Sequence, residues 1–220
     1  AVLLNEHAPS GPMNNINGGP EVASNASVTT DGSGHWIAVW HSMDDSPNKR
    51  VRDYDILFSR SNDDGGTWST PVALNSNAGE DSGNDIQPVV VTDEQGLWLV
   101  AWDSDEAFAG RYGLDRDVFF SRSTDNGLTW SAPEPLNRNA ARDYGQDVTV
   151  RLAADRKGNW IAVWSSTDTL GNTIGGDSDI LFSRSSDKGQ SWTEPVAVST
   201  TAASDRGYDT APDIVTDGSG

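Results

Sequence analysis

The chain is written on a 62-residue period. Ser61-x-Asp63-x-Gly65-x-x-Trp68, Ser123-x-Asp125-x-Gly127-x-x-Trp130 and Ser185-x-Asp187-x-Gly189-x-x-Trp192 begin 62 residues apart, so one supersecondary unit is repeated in tandem. The period extends beyond this motif. Trp36/Trp98/Trp160, Trp40/Trp102/Trp164 and Trp68/Trp130/Trp192 keep the same step and account for all nine tryptophans. A bulky residue that returns at one place in every unit is expected to anchor the packing of neighbouring units, because burying an indole removes a large apolar area from water.

One unit reads as four short strands joined by reversals. Ile86 to Thr92 is the first and ends at Asp93-Glu94-Gln95-Gly96, where glycine can take a positive φ. Trp98 to Trp102 returns, and Asp117 to Ser123 forms the third strand. The Asp125-Asn126-Gly127 turn then leads past Trp130 to a fourth strand closing near Leu136-Asn137. The third strand recurs at residues 55–61 and 179–185, and no helical 3.6-residue pattern of any length is present. Val2-Leu3-Leu4-Asn5 matches the fourth-strand ending Val72-Ala73-Leu74-Asn75, while Asp217-Gly218-Ser219-Gly220 falls 62 residues after Asp155-Arg156-Lys157-Gly158.

The expected organisation is therefore a single segment, residues 1–220, with repeats at about 24–85, 86–147 and 148–209, an outer strand before them and an inner strand after them. Four-stranded antiparallel units in tandem, rich in Trp and tight turns, predict an all-β fold, a β-propeller in which each unit is a blade. Rings close with about four to eight blades. Three and a half blades thus imply further blades, from a longer parent chain or from other copies. A parallel β-solenoid would not need two reversals per unit.

Charge narrows the partners. The 33 acidic against 15 basic residues leave a formal charge of −18, which argues against nucleic acid and against an anionic membrane surface. No apolar run approaches the ~20 residues of a membrane span, so no membrane insertion is expected. The absence of Cys excludes disulfides and thiolate zinc sites.

Ser-x-Asp-x-Gly-x-x-Trp is the Asp-box, or BNR repeat, and over nearly its whole length the chain resembles the bacterial sialidase-like Asp-box propellers. In that family the box lies on the turn between third and fourth strands, away from the catalytic pocket. The chemistry agrees: a short Asp side chain accepts hydrogen bonds from turn N–H groups, glycine permits the reversal, and Trp packs into the blade. A structural role is expected for Asp63, Asp125 and Asp187.

Successive strands reverse, so the short repeated turns share one face and the long divergent loops the other. Loops on a rigid scaffold are the usual seat of binding. These carry the candidate ligand-binding residues Arg52, Tyr54, Arg111, Tyr112, Asp115, Arg116, Arg142, Tyr144, Arg206 and Tyr208. The resemblance implies a retaining sialidase, with arginines clamping a sugar carboxylate, a Tyr nucleophile beside a Glu, and an Asp acid/base. The family's Phe/Tyr-Arg-Ile-Pro signature does not occur in these residues, so the catalytic residues stay unassigned. Solvated loops with local Arg–Asp pairs are the competing reading.

Asp85, Asp147 and Asp209 repeat before each inner strand, and Asp55, Asp117 and Asp179 before each third strand, which points to a structural task such as capping a loop. No resident cofactor or metal is expected. Calcium is the one candidate, since Asp103-x-Asp105-Glu106 and Asp177-x-Asp179 offer oxygen ligands, though neither has EF-hand or RTX spacing. His7, His35 and His41 form no metal-ligand pattern, and His35 is expected at a surface turn. Arg151, the sole arginine within an inner strand, is expected to pair with Asp213 of the next unit. The functional expectation is a secreted or cell-surface propeller that recognises a glycan or hydrolyses a sialoside at the long-loop face. A non-enzymatic scaffold for protein or polysaccharide is the alternative.

Overall fold

The computed structural model describes residues 24–43, 53–79, 81–108, 110–113 and 115–218. The expected strand at residues 2–5, His7 and Arg52 lie outside them. Among the described residues, twelve strands form three four-stranded antiparallel sheets, each with its strands in chain order. The first holds β1 (Ser24–Thr30), β2 (Trp36–Met43), β3 (Tyr54–Ser61) and β4 (Val72–Ala73). The second holds β5 (Asp85–Thr92), β6 (Trp98–Ser104), β7 (Asp117–Ser123) and β8 (Glu134–Pro135). The third holds β9 (Asp147–Ala154), β10 (Trp160–Ser166), β11 (Asp179–Ser185) and β12 (Val196–Ala197). The inner strand β1 lies against β5 and β5 against β9, so the sheets stack as successive blades of a partial β-propeller. No helix of the described residues is long and apolar enough to cross a membrane.

Burial follows from that stacking. The middle blade is covered on both faces, and every residue of β6 is buried. Trp98, Trp102, Trp160 and Trp164 are fully enclosed. The Asp-box tryptophans reach backwards: Trp130 meets Phe58 of the preceding blade edge-on at 5.7 Å, and Trp192 meets Phe120 at 5.9 Å. Trp36 of the first blade is only half-buried while its counterparts Trp98 and Trp160 are enclosed, because no preceding blade lies against it among the described residues.

Two expectations change. The fourth strands pair over only two residues each, since Pro71, Pro133 and Pro195 immediately precede them, and Pro135 lies within one, and offer no backbone donor. Side chains continue the edge instead: Ser131 Oγ accepts from Arg122 N at 3.1 Å, and Asn137 Oδ1 from Val118 N at 3.1 Å. The final inner strand does not form either. Among the described residues, 209–215 pair with no second strand, and Val215 stays exposed.

Candidate functional site

Each Asp-box closes on itself. Ser123 Oγ donates to Asp125 Oδ1 at 2.7 Å and accepts from Gly127 N at 2.8 Å; Asp125 then takes Thr129 N at 2.9 Å and the Thr129 hydroxyl at 2.6 Å. The boxes at Ser61/Asp63/Gly65 and Ser185/Asp187/Gly189 repeat the pattern. Donation from the residue-four-on hydroxyl and N–H holds all three carboxyls down at about 2. Their contribution to stability is present above the ordinary carboxylate range and is lost only as pH falls through about 2.

The recurrent Asp pairs join the blades through a buried network. Asn137 Nδ2 donates to Asp117 Oδ1 of its own blade at 2.7 Å and to Asp147 Oδ2 of the next at 2.6 Å. The other oxygen of Asp147 accepts Trp164 Nε1–H at 2.9 Å. Asn75 bridges Asp55 and Asp85 in the same way, with Trp102 Nε1–H on Asp85. Burial pushes Asp85 and Asp147 well above the usual carboxylate range and Asp117 up to about 8.

A second stitch lies at the propeller axis. Asn25, Gln87, Thr149 and Ala211, each 62 residues apart, adopt φ between 55° and 58°. In the three inner strands that form, this residue sits in a register shift, a β-bulge that frees its N–H from the ladder. The freed N–H crosses to the preceding blade: Gln87 N donates to His41 Nδ1 at 3.3 Å, Thr149 N to Asp103 Oδ2 at 2.9 Å, and Ala211 N to Ser165 Oγ at 3.1 Å. His41 is thus buried at a junction, where burial lowers its pKa, and Tyr54 packs edge-on against it at 5.2 Å. His35 sits at its turn bonded to Asp31 through Nδ1 at 2.6 Å. Arg151 does not pair with Asp213; it donates to the Val150 carbonyl at 2.8 Å and, with Asn25, Ser27, Gln87 and Val89, lines an axial cavity of about 400 Å³.

Burial raises Asp103 to about 7, against the pull of the Thr149 and Val150 N–H groups and of Arg116 and Arg151. The native state therefore keeps a proton that the unfolded chain releases near 3.8. That advantage is full below the lower value and is lost as pH rises through the higher one. Asp103→Asn retains an acceptor for Thr149 and removes the charge. In thermal melts its stability relative to the parent should grow from pH 4 to pH 8, reaching on the order of 2–4 kcal/mol.

The structure separates the sequence-derived candidates. Tyr112, partly buried, packs against the core on Phe108 and Phe119 at 5.7 and 5.5 Å, and Arg111 stacks over its ring at 5.4 Å. Desolvation raises the Tyr112 hydroxyl, which does not suit a nucleophile. Asp115 is buried beside Asp117 and Asp143, and Arg206 and Tyr208 stand exposed on the last described loop. Arg142 and Tyr144 share a cleft of about 610 Å³ between the second and third blades, lined also by Thr167, Asp168, Leu170 and Glu194. Tyr144 is 90% exposed. Arg142 Nη2 lies 3.2 Å from Glu194 Oε2, and Arg138 Nε 3.8 Å from Oε1. The Asp103-x-Asp105-Glu106 cluster is not a cation cage: Asp105 accepts Asn84 N at 2.5 Å, and Glu106 accepts Gly83 N and Phe108 N at 2.9 Å each.

The fold is shared with solved propeller structures, and the identities are low. A Hadza microbial sialidase, Hz136, aligns with a TM-score of 0.53 and 20% identity over 76% of this chain and 36% of its own. A Penicillium chrysogenum α-L-arabinanase complexed with arabinobiose aligns with a TM-score of 0.53 and 20% identity over 84% of this chain and 52% of its own. A Dyadobacter fermentans protein of unknown function reaches a TM-score of 0.58 at 15% identity, over 83% and 52%. The chain spans about a third to a half of the lengths of these structures. No family model and no curated protein matches the chain.

Proposed function

We propose that this segment recognises a glycan at the long-loop face, in the cleft between the second and third blades. The observation that carries the reading is the cleft itself: an exposed Tyr144 ring beside Arg142, Asp168 and Glu194 offers an apolar platform with polar groups around it. That combination suits a sugar, whose faces are partly apolar and whose rim is hydroxylated. The presence of glycan-processing proteins among the similar folds supports carbohydrate as the ligand class. Recognition is favoured over sialoside hydrolysis because Arg142, the arginine available to clamp a carboxylate here, is engaged with Glu194. A secreted or cell-surface setting fits this role, with further blades from a longer parent chain or from other copies completing the ring.

The test is binding of sialyl- and arabino-oligosaccharides by calorimetry, with fluorogenic sialoside hydrolysis run in parallel. Tyr144→Ala should weaken binding about tenfold or more, the loss of roughly 1.4 kcal/mol of stacking. Its melting temperature should be unchanged, because the side chain is exposed. Undiminished binding in this variant would move the site elsewhere, and hydrolysis by the parent chain would replace recognition with catalysis.

A further inference from the structure

We propose that the blades carry calcium sites at the base of the long-loop face, formed in the second blade by Asp115, Asp117 and Asp143 with Asn139. One carboxylate oxygen from each of the three aspartates lies within 4.8 Å of the others. Asp115 and Asp117 flank the start of β7, while Asp143 and Asn139 come from the loop between β8 and β9, so the fold itself brings the two segments together. As whole residues Asp117 is 1% exposed and Asp115, Asn139 and Asp143 are 8–9% exposed, and Asp115 Oδ2, Asp143 Oδ1 and Asn139 Oδ1 have no hydrogen-bond partner. Acceptor oxygens buried without donors are costly, and a cation shared among them would offset that cost.

The surrounding charges add to that need. Asp168 repels both Asp115 and Asp143 and is tied to Asn139 Nδ2 at 2.7 Å. Arg142, the cation acting on Asp143, is turned to Glu194 in the cleft outside. Gly113 makes room for the first aspartate, since a Cβ there would overlap Asp115 Oδ1; Gly175 stands in the same relation to Asp177. A cage of several carboxylates and an amide oxygen, contributed by loops, matches the six to eight flexible oxygen ligands of Ca²⁺ better than the octahedral, water-retaining shell of Mg²⁺.

The first blade repeats the cluster, and the third carries aspartates at the corresponding positions 177, 179 and 205. Asp53, Asp55 and Asp81 also bring three carboxylate oxygens within 4.8 Å of one another. In the third blade Asp179 is 1% exposed and neither of its oxygens has a hydrogen-bond partner, with Asp177 and Asp205 beside it. The cause is local: Ser199 stands there in place of the bridging Asn75 and Asn137. Asp177-x-Asp179, noted in the sequence, belongs to this third site.

The experiment is calorimetric titration of the chelator-stripped 220-residue chain with CaCl₂ and separately with MgCl₂, with melting curves alongside. The expected result is three equivalents of Ca²⁺ with dissociation constants at or below about 1 mM, a higher melting temperature, and much weaker Mg²⁺ binding. Asp143→Asn should remove one equivalent, whereas Asp213→Asn, an exposed carboxylate elsewhere, should keep all three. Should Asp143→Asn fail to fold by circular dichroism, Asp115→Asn supplies the same readout. No binding at about 10 mM Ca²⁺, equal affinity for Mg²⁺, or unchanged stoichiometry in folded Asp143→Asn or Asp115→Asn would overturn the proposal.

Discussion

Trp102→Ala should lower the stability of the chain by about 3–5 kcal/mol, measured by denaturant or thermal unfolding. Trp102 is 1% exposed and packs in the cluster shared by the first and second blades, with Val90, Val100 and Phe119 around it. Truncation opens a cavity that packed strands cannot close, because each strand is held in register by two neighbours. It also strands Asp85, whose Oδ1 accepts the indole N–H at 2.9 Å. Trp102→Phe separates the two effects. It keeps most of the buried area and loses the hydrogen bond, so its cost should be roughly 1–2 kcal/mol.

Asn137→Leu should cost a similar amount, about 3–5 kcal/mol, although the two side chains are close in size. The amide donates to Asp117 and Asp147 at once and accepts from Val118 N. Leucine leaves three buried polar groups without that partner and exposes two carboxyls on adjoining blades to each other. Because the network spans the junction, the loss should appear as earlier, less cooperative melting rather than as a uniform shift.

The blade was legible in the sequence because its parts need particular residue types. Only glycine tolerates the box turn cheaply at Gly65, Gly127 and Gly189, which have φ of 80°, 73° and 69°. Only a short acid can gather the turn donors as Asp125 does. The candidate site was less legible. Arg111-Tyr112 and Arg142-Asp143-Tyr144 look alike in the chain, yet one ring joins the core through Phe119 and the other stands in a cleft. Nothing local distinguishes them, since the difference lies in which strand each loop folds against. The acidic clusters did leave a trace, as Asp53/Asp115/Asp177 and Asp81/Asp143/Asp205 keep the 62-residue step. Periodicity alone does not say that Asp115 and Asp143, 28 residues apart, meet.

What the sequence determined by itself was the unit: strand order and turn chemistry, encoded by side chains acting within one blade, and the recurring tryptophans that pack it against its neighbours. What only the tertiary structure decided was how one blade holds the next. The bulged N–H groups of Gln87, Thr149 and Ala211 find His41, Asp103 and Ser165, three unlike acceptors at one repeated position. The donor is backbone, which has no residue signature, and any side chain with a lone pair can receive it. Such a bond is specified by geometry, and geometry arises only when two blades are packed together.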